Sequence, residues 1–115
     1  MRILINSEWI DKEEQISVYV PFDHSLIDTI PKADRDDVER VLSAAERGSR
    51  IARKLSIHER SQILYKTADI LANRLEEFAC LLARESSKTI REARKEVSRC
   101  VNTFRVSGEE SKRIH

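Results

Sequence analysis

Glycine and proline are almost missing from this chain, with two of each in 115 residues. So few breakers favour long helices. With Gly48 and Gly108 as the only glycines, no glycine-rich strand-to-helix turn exists to cradle a phosphate. Cysteine is equally sparse. Cys80 and Cys100 have neither C-x-x-C nor metal-ligand spacing. Two thiols permit one disulfide, but a cytosolic chain keeps them reduced. No apolar run approaches the roughly 18 residues of a membrane span. Ile3-Leu4-Ile5 is too short for the apolar segment of a signal peptide. Neither sign of charge dominates: 21 Lys and Arg face 20 Asp and Glu, for a net charge of +1, which asks for neither nucleic acid nor an anionic membrane. The compartment these absences imply is the cytoplasm.

Hydrophobic residues make up 40% of the chain and charged residues 36%, a soluble composition without the signature of disorder. The length is one domain's worth or less. Over residues 1–33 the pattern is extended: Ile3 and Ile5 alternate before an Asn6-Ser7 turn, and Ile16, Val18 and Val20 alternate with Ser17 and Tyr19. Pro21 and Pro31 exclude helix through the 20s, where Leu26 to Ile30 reads as a third short strand. From Asp34 the period becomes helical. Asp34 caps a first helix with Val38, Val41, Leu42, Ala45, Ala52 and Leu55 on one face, weakened in its middle by Gly48. Ser56 and Glu59 form a capping box for a second helix carrying Ile57, Ile63, Leu64, Ala68, Leu71 and Leu75 and breaking near Asn73. A third, shorter helix carries Phe78, Ala79, Leu81 and Leu82. Thr89 and Glu92 cap a fourth, with Ala93, Val97, Cys100, Val101, Phe104 and Ile114 inward and Gly108 permitting close packing or an end. The expected class is mainly α: a β-arm over residues 1–33, then about four amphipathic helices over residues 34–115.

Lys88 to Val97, preceded by Ala83-Arg84-Glu85-Ser86-Ser87, resembles the "E-(T/S)-G-K-x-x-x-E-A-x-x-E-V" signature of NAD(P)-dependent aldehyde dehydrogenases. Ile3 to Ile10 resembles their opening "x-I-N-G-E-W-V", and Val20-Pro21-Phe22-Asp23 with Ile27 to Asp34 resembles "N-P-x-T/D-G-E-x-I-x-x-V-P-x-A". Leu55 to Arg60 with Ile63-Leu64 resembles "L-S-x-x-E-R-x-x-I-L". Phe104 to His115 looks most like the lactaldehyde and non-phosphorylating glyceraldehyde-3-phosphate branch. The resemblance implies the N-terminal part of the cofactor domain of an α/β enzyme that oxidises an aldehyde to a carboxylic acid. That reaction runs through a thiohemiacetal, hydride transfer to NAD or NADP, and thioester hydrolysis. It also implies that the nucleophile, the activating glutamate and the nucleotide-binding residues lie in later chain. One departure stands out: the signature's glycine is Ser87 here, in a turn where a left-handed residue is expected.

A thiolate nucleophile needs a lowered pKa, partial exposure and nearby oxyanion donors. Cys80 and Cys100 fall mid-helix without a neighbouring histidine, and both are expected to be buried, reduced thiols. His24, His58 and His115 share no metal or triad spacing, and Ser56 is explained by capping. No catalytic or cofactor-binding residue is therefore assigned. Arg60, Glu85, Lys88 and Glu92 match the family pattern and are expected to act structurally, on helix faces or in pairs such as Lys88 with Glu92. The resemblance implies one metal candidate, a structural monovalent cation held by Glu96 and a backbone carbonyl near Val20. Two rival readings remain. One is a stand-alone helical structural or interaction protein without catalysis. The other is an anion- or nucleic-acid-binding module built on Arg84, Lys88, Arg91, Arg94, Lys95 and Arg99, against which interleaved acids and missing aromatics speak. The expected partners are the remainder of the enzyme or a second copy of the chain.

Overall fold

The computed structural model describes residues 1–113, which form two units, one over residues 1–54 and one from residue 55 onward. Ile114, expected on the inner side of the last helix, and His115 lie outside the described residues.

The first unit contains two antiparallel hairpins and a helix. Strands β1 (Ile3–Ile5) and β2 (Glu8–Ile10) pair with Ile3 opposite Ile10 and Ile5 opposite Glu8. Asn6 and Ser7 join them, both at positive φ (51° and 67°), as a two-residue hairpin turn requires. The second strand went unread in the sequence because Trp9 and Ile10 are too short a stretch to show alternation. β3 (Gln15–Tyr19) pairs with β4 (Leu26–Pro31), with an irregularity between Val18 and Tyr19. Pro31 ends its strand, where a missing N–H does least harm.

Helix α1 (Arg35–Ala52) starts at Asp34, whose carboxylate accepts the Asp37 N–H at 2.9 Å while the Asp34 N–H donates to Asp37 at 3.1 Å. The capping box is completed from outside the helix. The Lys12 ammonium bridges both carboxylates and ties the segment between the hairpins to the helix start. Asp37 is buried there, and Lys12 holds its carboxyl below the usual range. The helix runs through Gly48 without a break. The apolar face read from the sequence is not buried: Val38, Val41 and Leu42 are exposed, Leu42 at 58%, and so are Ala45 and Ala52. Leu55 lies beyond the helix end. The periodicity that marks a buried face is present, but the strands of the first unit leave these side chains exposed.

The second unit is a three-helix arrangement of α2 (Ile57–Asn73), α3 (Leu75–Ser86) and α4 (Ile90–Glu110). Ser56 caps α2 through the expected box with Glu59. Ala79, Ala93 and Val97 form the core, with Leu71, Leu75, Leu82 and Ala83 packed against it. Ala68, Ala79 and Ala93 are completely buried. Such small side chains at the crossings let α4 lie close to both neighbours. Gly108 continues this pattern inside α4: a Cβ there would sit 2.8 Å from Cε1 of Tyr65. The glycine is a packing site and not a helix end, since the helix continues to Glu110.

Candidate functional site

The tract that carries the family signature is the turn from α3 into α4. Helix α3 ends at Ser87 in the left-handed region (φ 52°, ψ 30°), the conformation expected of the residue that replaces glycine. Two residues later Thr89 opens α4. Its hydroxyl accepts the Glu92 N–H at 3.3 Å, and Glu92 accepts the Thr89 N–H at 3.2 Å and its hydroxyl at 2.8 Å. These bonds, the Thr89 hydroxyl first, hold the Glu92 carboxyl below the ordinary glutamate range. Glu92 is thus committed to the helix start, and the Lys88–Glu92 pair expected from spacing does not form. Lys88 instead reaches Glu96, with Nζ 2.6 Å from Oε2. The ammonium holds the Glu96 carboxyl below its usual value.

Near this turn one further ion pair joins the two helices. The Arg94 guanidinium grips the Glu76 carboxylate from α4 to α3, with Nε and Nη2 each 2.9 Å from an oxygen. Glu76 is lowered by that contact and Arg94 is raised by it. Sequence reasoning missed this clamp, because eighteen residues separate the partners and no local spacing signals it. Arg60 lies exposed in the first turn of α2, with its backbone N–H on Ser56 O at 3.1 Å. Glu85 is exposed near the end of α3. Of the four motif residues, Lys88 and Glu92 sit at the α3–α4 turn, Glu85 near the end of α3 and Arg60 on α2.

Beside the turn, α2, α3 and α4 leave an open cleft of about 550 Å³, walled by Leu71, Phe78, Leu81, Leu82, Val97 and Phe104 and edged by Glu85, Glu96 and Cys100. The lining is almost wholly apolar. Both thiols correct the expectation of burial: Cys80 and Cys100 are free and exposed. Both thiols lie in helices, as the sequence reading placed them, but Cys100 opens onto the cleft and neither side chain is enclosed. Each lies inside a regular helix, Cys80 in α3 and Cys100 in α4.

Among the described residues no three His, Cys, Asp or Glu side chains converge on a metal position. Glu96 already spends its charge on Lys88, and a hard cation needs several oxygen donors. A nicotinamide dinucleotide makes a different demand. Its pyrophosphate wants a tight turn of free N–H groups at a helix start. Here Gly48 lies inside α1, Gly108 packs under Tyr65, and the starts of α1, α2 and α4 are closed by their own capping carboxylates. No helix of the described residues is long and apolar enough to cross a membrane.

Residues 9–115 match the model of the aldehyde dehydrogenase family. An aldehyde-dehydrogenase-like protein of Sinorhizobium fredii is 45% identical over 98 residues, which is 85% of this chain and 19% of that protein. The crystal structure of aldehyde dehydrogenase 21 from Physcomitrella patens, in complex with the reaction product succinate, superposes with a TM-score of 0.94 at 32% identity, over 99% of this chain and 24% of that one. An NADP-dependent glyceraldehyde-3-phosphate dehydrogenase from Bacillus halodurans, complexed with NADP, gives a TM-score of 0.91 at 32% identity, over 95% of this chain and 23% of that one. The chain spans about a fifth of the length of the curated relatives it matches.

Proposed function

We propose, from the premise that this chain belongs to the aldehyde dehydrogenase family, that it is the N-terminal segment of an enzyme oxidising an aldehyde to a carboxylic acid with NAD or NADP. In this reading the segment is a scaffold. Residues 1–33 are a β-arm and residues 34–115 a helical part of the cofactor domain, and the reaction's nucleophile and cofactor contacts come from other chain. The observation that carries the reading is the superposition of 99% of these residues on a quarter of a solved aldehyde dehydrogenase. The structure is compatible with it chemically, because every motif residue it places is engaged in capping or pairing, or lies exposed on a helix. Arg60, Glu85, Lys88 and Glu92 are accordingly structural residues of the family motif, and a cation at Glu96 would first have to displace Lys88. The substrate branch is that of lactaldehyde and glyceraldehyde 3-phosphate, and the compartment is the cytoplasm. The partner is the remainder of the enzyme or, for the chain by itself, a second copy.

The test is direct. The purified 115-residue chain, given NAD⁺ or NADP⁺ with glycolaldehyde, lactaldehyde or glyceraldehyde 3-phosphate, is expected to produce no reduced nicotinamide. Cys80→Ser and Cys100→Ser leave that result unchanged. A reproducible rise in absorbance of reduced cofactor that scales with protein, and that either substitution abolishes, would refute the scaffold reading.

A further inference from the structure

We draw no further inference here: the strongest candidate, the open apolar cleft that α2, α3 and α4 leave around Phe78, Leu81, Cys100 and Phe104, carries nothing, because nothing in the structure shows what covers it.

Discussion

Ser87 occupies a backbone conformation that costs an L-residue roughly 1–2 kcal/mol and glycine almost nothing. The residue was legible in the sequence because the signature around it is punctuated by glycine at that place, and the φ of 52° bears out the turn. Ser87→Gly is therefore expected to stabilise the chain by about 1 kcal/mol, the gain being trimmed by the greater freedom of glycine in the unfolded state. A urea midpoint that falls or stays still would mean that the serine hydroxyl contributes something the turn geometry does not reveal. Gly108 predicts the opposite sign. Alanine there gains about 1 kcal/mol of helix propensity but drives a methyl to 2.8 Å from the Tyr65 ring. That ring cannot swing away freely, since its hydroxyl donates to Glu109 and the Lys112 ammonium lies 4.8 Å over its centre. Overpacking costs about 1–3 kcal/mol, so Gly108→Ala is expected to destabilise on balance. Adding Tyr65→Leu should recover most of the loss. Additive effects in that double-mutant cycle would show that the contact is not the cause.

At the level of elements, three of the four helices announce themselves by the same device, a polar cap with an acid three residues on: Asp34 with Asp37, Ser56 with Glu59, Thr89 with Glu92. That local chemistry is why the helix starts could be read directly, whereas α3, which has no side-chain cap, was placed only by its apolar residues. What the pattern could not supply is the partner across space. Lys12 under the α1 cap and Arg94 against Glu76 join residues far apart in sequence, and no spacing rule reaches that far. Replacing one cap tests its weight: Thr89→Ala is expected to cost about 1 kcal/mol of stability near neutral pH. The same carboxylates set the acid response. Asp37, held first by Lys12, Glu59, held first by the Ser56 hydroxyl, and Glu92, held first by that of Thr89, all have folded-state pKa values below their ordinary ones. A lowered carboxyl binds fewer protons in the folded state than in the unfolded state, so its contribution is present above the ordinary range. It fades as pH falls from about 5 towards 3. Helical signal in circular dichroism should therefore melt at progressively lower temperature through that window, and Thr89→Ala should show a shallower loss because Glu92 has less to give up. A variant with an acid limb as steep as the parent's would assign the transition to other groups.

Across the whole molecule, the legible and the illegible divide along one line: periodicity tells which face of an element is apolar, but not whether this stretch of chain contains the surface that covers it. Val97 and Val101 on α4 are buried as the pattern implies, because α3 and α2 are at hand. Val38, Val41 and Leu42 on α1 follow an equally regular pattern and remain in solvent, as do Ile70 and, more marginally, Phe78 and Leu81 at the cleft. Burying one such side chain is worth about 1.5–3 kcal/mol, and a small domain has only about 5–15 kcal/mol in all. Soluble monomers rarely expose large contiguous apolar patches. The chain by itself is thus expected to associate, with two copies covering each other's faces around a two-fold axis as the simplest closed arrangement. Light scattering or sedimentation at micromolar concentration should report a mass above the 13.4 kDa of one chain that falls on dilution. Leu42→Glu would return the protein to a monomer if α1 is the face used, and Leu81→Glu would do so if the cleft is. A strictly monomeric, cooperatively melting species across that concentration range would overturn the argument, and would mean that the faces exposed on α1 and at the cleft cost far less in water than their area implies.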